Sequence, residues 1–292
     1  MQGIYLPLMT PFSSDGLLQL DKIPVMVEHH ITQGVHGFYI GGSSSECFLM
    51  SIDERKQVLN AVSSVNNGRV PLIAHVGAIA LHEALQLIDR AVAAGYDAIS
   101  ATPPFYYGFS KAEVIHYYKS LAQYSPIPLL LYNIPGTTGV NFDHKELLEL
   151  SELENVVGIK HTTTDMFFIE RLRQAKPESI IFHGEDTMLI SGLQMGASGG
   201  IGSTYNLMSK QYVELYQAVL EGDLDIALEK QKQVNRVTEV LLDVGVYQGI
   251  KYAMGELGID YGECRAPFLG LDSEGKSKIN KMIEAFSFNN FM

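Results

Sequence analysis

The segment NVVGIKHTTTD (155–165) sets Val156, Val157 and Ile159 around Gly158 and then stops on Lys160. A half-exposed strand alternates polar and apolar residues. This run does not, so it reads as a strand covered on both faces, the pattern of a parallel sheet wrapped by helices. Lysine is costly to desolvate, and its place at the end of such a run needs a reason.

Seven further short runs have the same character: GIYLPLM (3–9), HGFYIGG (36–42), PLIAHVG (71–77), YDAISA (96–101), IPLLLYN (127–133), SIIFHG (179–184) and SGGIGS (198–203). Segments of helical period separate most of them. These are residues 21–33, SIDERKQVLNAVSSV (51–65), LHEALQLIDRAVAAG (81–95), KAEVIHYYKSLAQY (111–124), DMFFIERLRQA (165–175) and SKQYVELYQAVLEG (209–222). Ser51 and Glu54 have the spacing of a capping box, and Gly95 stands where a helix closes. Eight β-then-α units predict an α/β fold, a (β/α)8 TIM barrel over residues 1–223. An open parallel sheet is the alternative that pattern alone leaves standing. From about residue 224 only helical signals remain, as in LDIALEKQKQVNRVTEVLLDVG (224–245), which predicts a C-terminal helical extension over 224–292.

Charged residues make up 18% of the chain, below the roughly 25% usual for soluble domains, which implies extensive buried surface. With 21 basic and 33 acidic residues the net charge is −12, which argues against a nucleic-acid partner. No apolar run approaches the roughly 20 residues that span a bilayer, and MQGIYLPLMTPF (1–12) lacks the pattern of a secretory signal. The expectation is a cytoplasmic protein. Cys47 and Cys264 have no metal-ligand spacing and read as reduced thiols.

In a parallel barrel the active site lies at the C-terminal ends of the strands, where the polar and small residues of this chain collect. Lys160 ends one strand; apolar surroundings there disfavour its ammonium and free an amine to attack a ketone. The plain alternative is a lysine whose stem lies on apolar surface while its head reaches water. Tyr132 ends another strand and offers a phenol for proton transfer, or only a ring packed in the core. GGSSSE (41–46) offers hydroxyls and backbone N–H groups to a carboxylate, although such turns are usually only turns. His75 has no partner at metal-ligand spacing and reads as a satisfied core histidine. His161 and His183 receive no role, and Tyr117 and Tyr118 read as packing.

The ordered series GGSSSE (41–46), TPPFYY (102–107), YNIPGTTGV (132–140), GIKHT (158–162), GED (184–186) and GIGSTYN (200–206) resembles the N-acetylneuraminate lyase group. That group sits in the superfamily of class I pyruvate-dependent aldolases that includes dihydrodipicolinate synthase. The resemblance implies a (β/α)8 barrel, a homotetramer, and neither metal nor organic cofactor. It implies that Lys160 forms a Schiff base with the ketone of a 2-oxo sugar acid and that Tyr132 relays protons. Ser43 and Ser44 would hold the pyruvyl carboxylate, and Tyr106 would complete a relay, in some relatives across a subunit boundary. Thr162, Gly184, Asp186, Thr187 and Ser203 would hold the hydroxyl-rich sugar chain.

The activity so implied is cleavage of N-acetylneuraminate to N-acetylmannosamine and pyruvate. Thr137 stands where the synthase branch has an arginine, which counts against dihydrodipicolinate synthesis. Thr187 stands where the lyases have a glutamate beside the aspartate, and losing one charged acceptor weakens tail binding by about 1–3 kcal/mol. Another 2-keto-3-deoxy sugar acid is therefore the second candidate. Ser45 replaces the glycine usual before Glu46. A silent sensor of 2-oxo acids is the reading from another class, and a retained Lys160–Tyr132 pair argues against it.

Overall fold

A computed structural model of the chain describes residues 1–286; the last six residues of the expected extension lie outside these. Eight parallel strands close into a barrel in chain order, β1 (Gly3–Pro7), β2 (Gly37–Ile40), β3 (Leu72–His75), β4 (Ala98–Ala101), β5 (Leu129–Asn133), β6 (Val156–His161), β7 (Ile180–His183) and β8 (Gly199–Ile201). Pairing of β1 with β8 completes the ring and excludes the open sheet.

Helices α1 (Ile23–Thr32), α2 (Ile52–Asn66), α3 (Leu81–Ala93) and α4 (Lys111–Tyr124) follow the first four strands. The capping box of α2 forms between Ser51 and Glu54, and Gly95 takes a φ of 76° just past the end of α3. A second capping box, at Ser110 and Glu113, opens α4. After β5 come α5 (Pro135–Thr138) and α6 (His144–Ser151); after β6, α7 (Met166–Ala175); after β7, α8 (Leu189–Gln194); and after β8, α9 (Tyr205–Glu221). The sequence pattern missed α5, α6 and α8 because one or two turns are too short to display a period. It started α9 late because the helix kinks at Met208, where φ is −129° and ψ 39°.

After α9 the described residues form α10 (Leu224–Val244), α11 (Val246–Glu256) and α12 (Ser273–Phe286). Of these, α10 lies along α9, and α11 and α12 pack on α10. Among the described residues no helix is long and apolar enough to cross a membrane.

The strands bury side chains on both faces, which is why they read as continuous apolar runs. Tyr5, Tyr39, Ile73, Ala98, Leu130, Tyr132, Phe182 and Ile201 fill the barrel interior. Alternate residues, among them Leu129, Leu131, Ile159 and Ile181, pack outward against the helices.

One irregularity decides where Lys160 goes. Leu129 pairs with Val156 but Leu130 pairs with Gly158, so Val157 is an extra residue on β6, a β-bulge. Beyond it the register brings Lys160 beside Tyr132 and His161 beside Asn133. Without the slip, Lys160 would lie beside Asn133 and face the helix layer, since a one-residue shift exchanges the faces of a strand. Gly158 is required at this point: a Cβ there would meet the Ile180 carbonyl oxygen at 1.9 Å. We expect Gly158→Ala to cost at least about 1–3 kcal/mol of stability through overpacking, read as a lowered urea midpoint. A parental midpoint would contradict this packing of β6 on β7.

Candidate active site

Lys160 reaches the mouth of the barrel and is only 5% exposed. Its Nζ lies 4.1 Å from the ring centroid of Tyr132 and 4.6 Å from that of Tyr39. Tyr39, His75 and Tyr132 meet at ring separations of 6.0–6.1 Å and make an aromatic wall beside the amine. Among the described residues no carboxylate forms an ion pair with Lys160, and burial, the largest influence, lowers its pKa from 10.5 to about 7, opposed by Asp186. The amine is therefore substantially neutral at neutral pH.

Tyr132 is 2% exposed, and burial raises its phenol to about 12, with the nearby Ser43 and Thr162 hydroxyls pulling the other way. The phenol thus keeps its proton at neutral pH. Thr162 Oγ1 is buried and closes no hydrogen bond among the described residues, and it abuts Gly184 so closely that a Cβ there would stand 2.0 Å from it.

The GGSSSE segment turns as a short 3-10 helix, Ser43–Ser45, directly after β2. Ser44 Oγ lies 2.7 Å from Ser203 Oγ, joining this turn to the loop after β8. Ser45 Oγ is committed to structure: it donates to the Leu8 carbonyl at 2.5 Å and accepts from Gly41 N–H.

Beside these residues lies a cavity of about 450 Å³. Gly184, Asp186, Thr187 and Ser203 all line it, and Tyr247, Gln248 and Phe268 from the C-terminal part of the chain form its far wall. Asp186 is half-buried, and its Oδ2 accepts from both the N–H (2.8 Å) and the hydroxyl (2.7 Å) of Thr204. Desolvation still raises its carboxyl to about 6, despite those two bonds. Thr187 Oγ1 donates to Glu185 Oε1 at 3.2 Å, so a second carboxylate enters the cavity wall from the other side of Asp186.

Nine of the ten expected residues, all except Tyr106, thus gather around Lys160 and this cavity. Tyr106 is 73% exposed and stacks edge-on against Tyr107, on a separate surface cavity of about 490 Å³. His75 is satisfied inside the wall, by the Gly41 carbonyl at 2.9 Å and by Thr102. His161 faces the helices, where Asn133 and Thr163 hold its ring nitrogens.

Sequence reasoning missed Tyr39, Tyr247, Glu185 and Glu46. Tyr39 sits in an apolar run with nothing to mark it, and Tyr247 in a helical stretch far along the chain. Glu185 lies inside the quoted GED (184–186), where nothing in the sequence gives it a role of its own. Glu46 closes the quoted turn, whose hydroxyls and backbone N–H groups draw the reading away from its carboxylate.

The model described as the dihydrodipicolinate synthetase family matches residues 1–286. The chain belongs to that family. Within it, the chain is 45% identical over 268 residues to an N-acetylneuraminate lyase of Rhizobium meliloti, covering 92% of this chain and 89% of that one. It is 38% identical to an N-acetylneuraminate lyase of Clostridium perfringens, covering 91% and 93%. A solved structure of CdNal from Clostridium difficile in complex with mannosamine superposes with a TM-score of 0.95 at 34% identity, over 98% of this chain and 99% of that one. N-acetylneuraminate lyase from Fusobacterium nucleatum gives 0.93 at 34% identity over the same shares. Among the described residues no cluster of three or more His, Cys, Asp or Glu side chains could hold a metal ion.

The Asp186 carboxylate favours the ammonium of Lys160, so Asp186→Asn should lower the titration midpoint of Lys160 below about 7. Competitive labelling of Lys160 by a small acylating reagent across pH reads this midpoint. An unchanged or higher midpoint would contradict the coupling.

Proposed function

We propose that this family member is a class I aldolase that cleaves N-acetylneuraminate to N-acetylmannosamine and pyruvate. One observation carries the reading: the amine of Lys160, buried against Tyr39 and Tyr132 with its pKa near 7, is a ready nucleophile for a ketone. The names of the curated relatives supply the substrate.

Neutral Lys160 Nζ attacks the C2 ketone of the open-chain acid, and the resulting carbinolamine takes up a proton from solvent and loses water to give a protonated imine. The iminium draws the electron pair of the C3–C4 bond toward nitrogen as the C4 hydroxyl gives up its proton. The bond breaks to an aldehyde and an enamine of pyruvate; protonation at C3 and hydrolysis then release pyruvate and free the lysine. Tyr132 holds its proton at neutral pH, so it acts as a relay, passing that proton toward the substrate carboxylate while accepting the one from C4. Ser43 and Ser44 hold the carboxylate. Thr162, Gly184, Asp186, Thr187 and Ser203 receive the hydroxyls of the sugar chain in the adjoining cavity.

The same reading takes residues 1–223 as the catalytic barrel and the helices from 224 onward as the wall that closes the sugar end. Tyr106, exposed on one chain, belongs in it to a homotetramer contact that delivers the ring to a neighbouring site. The protein works in the cytoplasm.

A second reading, a lyase for another 2-keto-3-deoxy sugar acid, is favoured by one feature. Thr187 is bonded to Glu185 and presents a hydroxyl where the lyases carry a carboxylate. Coupled assays with N-acetylneuraminate and 2-keto-3-deoxygluconate separate the two. We expect turnover of the first; turnover of the second alone would replace the leading reading. Tyr132→Phe should keep the imine but lower kcat by about 10²–10⁴-fold, the range for a lost proton-transfer group, and a parental kcat would remove the relay.

A further inference from the structure

Glu46 ends the GGSSSE turn, and the chemistry above leaves it unused. Its backbone has a φ of 57°, in the left-handed region that strains a non-glycine residue. Its side chain is 0% exposed. Oε1 accepts from Lys251 Nζ at 2.7 Å, and Oε2 accepts from the backbone N–H of Arg265 at 2.7 Å.

Both partners come from the C-terminal part of the chain. Lys251, on α11, places its remaining protons on the carbonyls of Thr10 and Glu263, each at 2.7 Å. The Arg265 guanidinium grips both carboxylate oxygens of Glu54, at 2.6 and 2.9 Å, and lies 4.3 Å over the Phe12 ring. Every donor in this cluster is occupied, so neither Glu46 nor Lys251 is free for proton transfer. A buried ion pair gives little net stability over an apolar replacement; what it can give is one fixed backbone conformation. The fixed backbone here is the turn that carries Ser43 and Ser44.

We propose that Glu46 is a positioning residue: clamped by Lys251 and the Arg265 N–H, its carboxylate holds the strained turn that aims Ser43 and Ser44 at the substrate carboxylate. The inference rests on the reading of those serines as carboxylate holders. It makes the C-terminal helices part of the binding site, acting through the turn.

The readout is the pyruvate concentration that half-saturates borohydride trapping at Lys160. A merely structural role lowers the fraction of active protein and leaves that concentration unchanged. Displacement of the serines raises it, and Glu46→Gln, which exchanges one acceptor oxygen for a donor facing its partners, should raise it about tenfold. Because that variant leaves Lys251 buried and unpaired, the double variant Glu46→Gln with Lys251→Met removes both charges. It should regain the thermal midpoint of the parent while half-saturation stays raised about tenfold. Glu54→Gln alters a partly exposed pair, retains the fold whatever happens at the buried pair, and should loosen Arg265 enough for a rise of about threefold. Parental half-saturation in Glu54→Gln and in each buried variant that folds overturns the proposal. A parent protein that forms no adduct removes the Schiff-base reading and this inference with it, an outcome distinct from an adduct with parental half-saturation throughout.

Discussion

Lys160 faces the barrel interior because β6 carries one residue more than β5 at the Leu129–Leu130 step. Side chains alternate across a strand, so the extra Val157 moves every later residue of β6 to the opposite face. It places Lys160 beside Tyr132 inside the barrel and sends His161 toward the helices, where Asn133 and Thr163 satisfy its ring. Gly158 lets β7 approach at the same level. The amine's surroundings, and so its acidity, follow from that one step in register.

Once inside, the amine is governed by desolvation. Two aromatic rings lie 4.1 and 4.6 Å from it, and their faces compensate an ammonium far less than water does. Asp186 partly offsets the loss, while its own carboxyl is raised to about 6 by the same lack of water. The two groups are thus set to titrate near neutrality from opposite directions. An ion pair in direct contact would instead have held Lys160 charged and inert as a nucleophile.

Much of this could be read from the sequence, for physical reasons that also mark the limit. Strands covered on both faces leave consecutive apolar runs, so all eight were visible, and the polar residues at their C-terminal ends pointed to the mouth. Lys160 and Tyr132 stood out because a charge and a phenol ended apolar strands. The slip at Val157 left no mark, since Val-Val-Gly reads the same with or without a bulge. Tyr39 and Tyr247 were hidden because a tyrosine in an apolar or helical stretch looks like packing until tertiary contacts bring it to the site. Glu46 lies 205 residues from Lys251 and 219 from Arg265, and no local pattern links it to them.

Everything in the proposed chemistry depends on Lys160 being a neutral, ketone-attacking amine at neutral pH. The most direct test is borohydride trapping with pyruvate from about pH 5 to 11, with peptide mapping of the product. We expect a reduced pyruvyl adduct on the peptide containing Lys160, whose initial rate rises with a midpoint near pH 7. No adduct, an adduct on another lysine, or a midpoint near the 10.5 of an ordinary lysine would contradict it.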